Sequence, residues 1–181
     1  MNTYKTLAGG TLALALFVGF SAPSAHAANV VDAVVSDPSF QALEDALLAA
    51  DELADAGLVS TLQGASEITV FAPSNEAFGK LPRALTRAIE NDPGILVSIL
   101  THHVAPGALF AEDVVAERRI DTLQGDTVMV RTPGDRVYLD RSQVTEVDIE
   151  LDNDVVVHRI DRVLIPWKSI IRDVVMALRH N

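Results

Sequence analysis

The sequence predicts an α+β domain, or a small β-sandwich with helices packed on it, from three observations. Apolar residues recur at helical spacing through the first half of the chain and at every second position through much of the second half. One apolar β-like run, Ile68–Phe71, lies among the helical segments and marks a central strand. The helical segments are also short, and helices of that length are marginal in water unless they pack on something.

Taken in order, the chain opens with Lys5, an apolar run over Leu7–Phe20 and the small-x-small site Ala25-His26-Ala27. This is the pattern of a signal peptide over residues 1–27, removed after Ala27, and the apolar run is too short for a stable membrane span. Cleavage leaves 154 of the 181 residues, enough for one domain with its own core. A short apolar stretch, Asn29–Val35, precedes Ser36-Asp37-Pro38, an N-cap with proline at the first helical position. The helix that follows carries Phe40, Leu43, Leu47, Ala50 and Ala54 on one stripe, with Glu44, Asp51 and Asp55 off it, and Gly57 ends it. Leu58–Leu62 leads through the Gln63-Gly64 turn to Ile68–Phe78. There the strand is expected to stop at Ala72-Pro73, because proline cannot donate to a ladder. Ser74 takes the N-cap position with its hydroxyl as acceptor, and Phe78 returns a ring to the core.

Leu81-Pro82 starts a second helix with Leu85 and Ile89 on one face. Asp92-Pro93 starts a third carrying Ile95, Leu96, Ile99 and Leu100. From His102 the period becomes two. Thr101–Pro106 reads as a short strand ended by Pro106-Gly107, Leu123–Asp126 as a turn and Thr127–Arg131 as a strand. Pro133-Gly134-Asp135 turns into Val137–Leu139, and Val144–Ile149 and Val155–Ile160 are two further strands joined at Asp152-Asn153-Asp154. A last amphipathic helix is expected in Trp167–Asn181, with Ile170, Ile171, Val174, Val175 and Leu178 on one face.

Two segments, ITVFAPSNEAF at Ile68–Phe78 and IDRVLIP at Ile160–Pro166, resemble the hallmark segments of the fasciclin-domain family. The resemblance runs from about Val30 to Pro166. It implies a compact wedge-shaped β-sandwich with a helical layer over residues 28–166, leaving 167–181 as a C-terminal extension. It also implies a role in adhesion or protein–protein interaction outside the cytoplasm. Thr69, Phe71, Pro73, Ser74, Asn75 and Phe78 fall in the first hallmark segment, and Ile160, Asp161 and Pro166 in the second. His103 matches the histidine of the family's Tyr-His pair, with His102 in the tyrosine position. His158 belongs to the strand beside the second segment. Asp148-Ile149 resembles an Asp-Ile pair proposed in receptor-binding motifs of animal members. These positions are expected to be structural or to form an interaction surface.

The residues offer little chemistry beyond that. Without cysteine there is no disulfide and no thiol nucleophile. With no Asn-x-Ser/Thr sequon either, a bacterial periplasm or medium is the simplest destination. Adjacent in a strand, His102 and His103 would point to opposite faces and hold no metal together, and His103 and His158 read as buried rings bonded to backbone. Asp148, Glu150, Asp152 and Asp154 lack the spacing of a calcium loop and read as a solvated edge. Ser74 lacks a GxSxG elbow, and no P-loop, GxGxxG or HExxH occurs. No cofactor, no metal and no enzymatic activity are therefore expected.

Residues 28–166 hold 10 Lys/Arg against 24 Asp/Glu, a net of −14, and residues 167–181 hold 3 against 1, a net of +2. That body disfavours nucleic acid and anionic lipid as partners. The tail is expected to dock on its own body or across a homodimer through Trp167–Leu178, with Trp167 as anchor, in preference to a membrane. The leading function is a non-enzymatic exported interaction module that contacts a protein or an envelope or matrix component. The alternative is a soluble binding protein for a small apolar or amphipathic ligand held between sandwich and helices.

Overall fold

The computed structural model describes residues 37–54, 57–151 and 154–171. The expected leader, the stretch Asn29–Val35, Asp55, most of the Asp152–Asp154 turn and the tail positions Val174, Val175 and Leu178 lie outside them.

Strand β1 (Ile68–Pro73) is buried at all six positions, because it is paired on both sides and covered on both faces. Its even residues Ile68, Val70 and Ala72 face a helical layer, and Phe71 faces the opposite cluster. The strand ends at Ala72-Pro73, as the sequence predicts, with Pro73 as its last paired residue. The antiparallel neighbour β2 (Val104–Pro106) pairs only as far as Val70, so the donor missing from Pro73 costs no ladder bond on that side. The parallel neighbour β7 (Val155–Ile160) continues to the Pro73↔Ile160 position, and the Ser74 amide closes the pairing on Ile160 O at 3.2 Å.

A 3-10 turn (Pro38–Phe40) enters helix α1 (Gln41–Ala54), whose Phe40-Leu43-Leu47-Ala50 stripe is buried as the spacing predicts. The Asp37 carboxylate accepts from the Ser39 amide at 2.8 Å, which with Arg159 holds its pKa below the ordinary value. Asp51 then accepts from the Leu58 and Val59 amides and caps α2 (Leu58–Gln63). Helices α3 (Asn75–Gly79), α4 (Arg83–Asn91) and α5 (Pro93–Thr101) follow β1. Asp92 caps α5 through the Gly94 amide at 2.9 Å, as the Asp-Pro signal predicts.

After β2 the chain forms α6 (Ala111–Ala116) and strands β3 (Arg119–Asp121), β4 (Thr127–Arg131), β5 (Tyr138–Leu139) and β6 (Ser142–Leu151). The strand order is β2-β1-β7-β6-β5-β4-β3. The two ends of this sheet meet where the Leu123 amide donates to Val104 O at 2.8 Å, just past β3. The sheet is therefore doubled over, and Phe71, Val128, Val130, Leu139, Ile160 and Leu164 fill its inside. The mixed α+β class is that expected. Strand β6 slips register twice against β7, and Asp148 sits at the second slip with φ 57, the left-handed region.

Three local expectations are corrected. Thr101–Pro106 is not one strand, because Thr101 ends α5 and the two histidines form the turn into β2. The Ser74 hydroxyl makes no cap bond; the backbone carbonyl of Ser74 takes the Ala77 amide at 2.9 Å instead. The side chain that does act there is Asn75, which accepts from the Ala42 amide at 2.9 Å and donates to Pro38 O at 2.8 Å, seating the start of α1. Ser74→Ala should accordingly change stability by less than ~0.5 kcal/mol, whereas Asn75→Ala should cost ~1–2 kcal/mol, as read by urea melts. A larger loss from the serine variant would contradict this assignment.

The third correction concerns the tail. Residues 167–171 form a helical turn, but Trp167 is 47% exposed while Ile170 is 7% exposed and packs with Ala77, Leu85, Ile99 and Val163. Ile170 is the anchor on the chain's own body, backed by Ser169 Oγ donating to Asp126 Oδ2 at 2.6 Å. Ile170→Ala should cost ~2 kcal/mol, the low end for such a truncation because its flanks Trp167 and Ile171 are exposed and leave the site room to relax. Trp167→Ala should leave the thermal midpoint nearly unchanged.

Candidate functional site

The hallmark residues are drawn together by β1, β7 and the turns that flank them. Thr69 Oγ1 donates to Gly107 O at 2.7 Å and accepts from the Leu109 amide at 2.8 Å, which pins the loop after β2. Gly107 turns that loop at φ 89, a value that an L side chain resists. Phe71 stacks on His158 at 5.8 Å between ring centres. Ile160 is fully buried beside them, and Phe78 is half-buried between two helical clusters.

Each buried histidine is held as a neutral ring. His103 Nδ1 lies 2.7 Å from Ile99 O and so carries the proton, leaving Nε2 to accept from the Leu164 amide at 2.9 Å. Burial lowers its pKa to about 4 against the opposing pull of Ile99 O. His158 has the other tautomer: Nε2 donates to Leu109 O at 2.8 Å and Nδ1 accepts from the Asp148 amide at 3.3 Å. His102 Nδ1 faces Thr122 Oγ1 at 3.0 Å, and that hydroxyl spends its own proton on Asp126 O. Burial pushes the pKa of His102 and His158 down as well.

Asp148 accepts from the Ala111 amide at 2.7 Å, seating the start of α6, and the partly buried Ile149 packs on the helical cluster. Asp161 accepts from the Gln143 amide at 2.7 Å and also faces two cations, Lys80 at 3.6 Å and Arg162 at 3.9 Å. Pro166 is buried, and its carbonyl takes the Ile170 amide at 3.0 Å. Arg159, on β7, reaches Asp37 at 2.7 Å and Glu146 at 2.9 Å and lies over the Phe40 ring, tying the entry of α1 to the sheet.

Among the described residues no cluster of His, Asp and Glu has the geometry of a metal site. A cleft of about 640 Å³ opens instead between β4, the second hallmark segment and the turn after α3. Strand alternation builds one wall: Val128 and Val130 point into the core, so Thr127, Met129 and Arg131 point into the cleft. Arg119 stands opposite Met129 in the β3–β4 ladder and joins the same face. Sequence reading missed this cleft. Its one visible signal was charge: five of the fourteen Lys/Arg fall within residues 118–141 of an otherwise acidic chain.

The fasciclin domain model matches residues 45–166. The chain is 36% identical over 139 residues to the Synechocystis protein sll1735, covering 76% of this chain and 97% of that one. It is 31% identical to sll1483 of the same organism, with 74% of that protein covered. Similarity to the transforming growth factor-beta-induced protein ig-h3 of Sus scrofa is 33%, but the chain spans only 19% of that protein. In structure it is similar to the FAS1 domain pair of the insect cell adhesion molecule fasciclin I, with a TM-score of 0.56, 17% identity, and 78% of this chain and 52% of that chain covered. Hallmark segments, fold and sequence similarity agree: the chain belongs to the fasciclin domain family.

Proposed function

We propose that this chain is a non-enzymatic interaction module, exported to the periplasm or beyond, that contacts a protein or an envelope or matrix component through its surface. The observation that carries this reading is how the hallmark residues are used. His103, His158, Thr69, Asn75 and Asp148 each spend their polar atoms on backbone groups of other elements. They specify the scaffold and hold no nucleophile or base in reserve, so binding falls to the surface that the scaffold presents. Membership of a family that includes an insect cell adhesion molecule supports the same reading. The charged, apolar and small-x-small order of residues 1–27 supports export.

Two measurements test the two halves. Immobilised chain beginning at Ala28 should retain a defined component of the native envelope saturably, identified by mass spectrometry. Retention that never saturates, or none, overturns the interaction role. Exported protein should have the intact mass of a chain beginning at Ala28; a mass beginning at Met1 overturns removal of the leader after Ala27, and absence of the protein from the periplasm and medium overturns export.

A further inference from the structure

The cleft beside β4 is cationic in a protein that is strongly acidic. Lys80, Arg119, Arg131, Arg141, Arg162 and Lys168 line it, against the acids Asp126 and Asp140. Its lining therefore carries +4, and a whole-chain net of −11 leaves −15 for everything else. Both acids are already engaged: Asp126 Oδ2 by Ser169 Oγ at 2.6 Å, Asp140 by the Met129 amide at 3.0 Å. Lys80 and Arg162 share one carboxylate, Asp161, at the rim. Among the described residues no carboxylate is in ion-pair contact with Arg119, Arg131, Arg141 or Lys168. Cations gathered in a concavity repel one another until an anion enters, and the walls focus their field on it.

The same cleft is also apolar. Leu81, Pro82, Met129, Ile165 and Trp167 line it, and Met129 and Trp167 are large apolar side chains that remain exposed. Its volume lies within the range of roughly 300–1,000 Å³ in which small-molecule sites fall. Exposed apolar surface next to cations that have no carboxylate partner among the described residues, such as Arg119, Arg141 and Lys168, matches a ligand that carries both characters.

We infer that this cleft binds an amphipathic anion, a carboxylate or phosphate headgroup on an apolar chain, taken up as a monomer. The headgroup meets Arg119 and Arg141, whose guanidinium forks suit the oxygens of either group, with Arg131 beside them, its Nη2 donating to Asp140 O. The chain lies along Met129 and Trp167. Charge separates this ligand from other occupants. A bilayer of anionic lipid would have to approach the remaining −15 of the protein. Residues 172–181 carry Arg172 and Arg179 against Asp173, so that segment has the same sign as the cleft. The inference stands on the cleft alone and goes beyond the interaction role proposed above.

Trp167 is the only tryptophan and borders the cleft, so its fluorescence reports occupancy. The full chain would be titrated with dodecanoate and with dodecyl phosphate, both below micelle-forming concentration. Butyrate and dodecyltrimethylammonium serve as controls for the chain and for the charge. Expected is a saturable shift of emission to shorter wavelength with both long-chain anions, and none with either control. The exposed pair Arg119→Glu and Arg141→Glu, checked for native circular dichroism, should weaken binding by about tenfold or more. Raised salt should weaken it in the wild-type chain. Equal binding of the cationic surfactant overturns the inference, as does binding that charge reversal and salt both leave unchanged. Two further results would also overturn it, by showing another occupant. Co-sedimentation with phosphatidylglycerol vesicles without monomer binding would show a bilayer, and binding that appears only after Val174→Asp and Leu178→Asp in the full chain would show the tail. A dimer by light scattering that must dissociate before the anion binds would likewise mean that a second copy fills the cleft.

Discussion

Lowering the pH from about 6.5 to about 4 should remove about 3 kcal/mol of folding stability through His103 alone. The ring is buried, with Nδ1 donating to Ile99 O and Nε2 accepting from the Leu164 amide, so a second proton has no acceptor to face. Its folded pKa of about 4 lies below the ordinary 6.5 of the unfolded chain. Within that window the unfolded state binds more protons than the native state, and stability falls as the pH falls. The contribution is complete above pH ~6.5 and has been lost by about pH 4. His102 and His158 are shifted in the same direction, so their losses add to the same limb. Urea midpoints taken at half-unit steps of pH would measure this. A midpoint that stays level to pH 4 would show that the ring titrates freely. His103→Gln keeps a donor and an acceptor but does not titrate, and should flatten the acid limb while lowering stability at neutral pH.

Phe71→Ala should cost ~3–5 kcal/mol, the largest loss expected from any single hallmark residue. Its ring is completely buried inside the doubled sheet and stacks on His158. Strands close around it from both sides, so the site cannot collapse to refill the space. The half-buried Phe78 should cost less, because part of its ring is already in contact with solvent. A thermal or urea melt ranks the two. Phe78→Ala as the worse variant would mean that the helical clusters, and not the inside of the sheet, limit stability.

Periodicity and capping chemistry carried much of this architecture on their own. The Phe40–Ala50 stripe, the Asp92-Pro93 start and the alternating strand Thr127–Arg131 all appear where the residues place them. Those signals are local: they rest on neighbours within a turn of helix or on the next residues of a strand. The two hallmark segments were legible for the same reason, as contiguous runs.

What the sequence could not decide depends on partners far along the chain. Pro73 reads as a strand stop and does end β1, but only the fold shows why it can still pair at that last position: β2 has already ended and β7 has not. Ser74 has the residue type of a cap, but the working side chain is Asn75, whose partners Pro38 and Ala42 belong to another helix. Trp167 has the largest ring in the tail, but the groove between helices accepts Ile170 and leaves the indole out. The cleft shows the limit most clearly. Lys80, Arg119, Arg141 and Lys168 are separated by up to 88 positions in sequence, and they share one concavity only because the doubled sheet and the second hallmark segment meet there. Local pattern determines which face of each element is apolar. Closure of the sheet decides which charged faces come together.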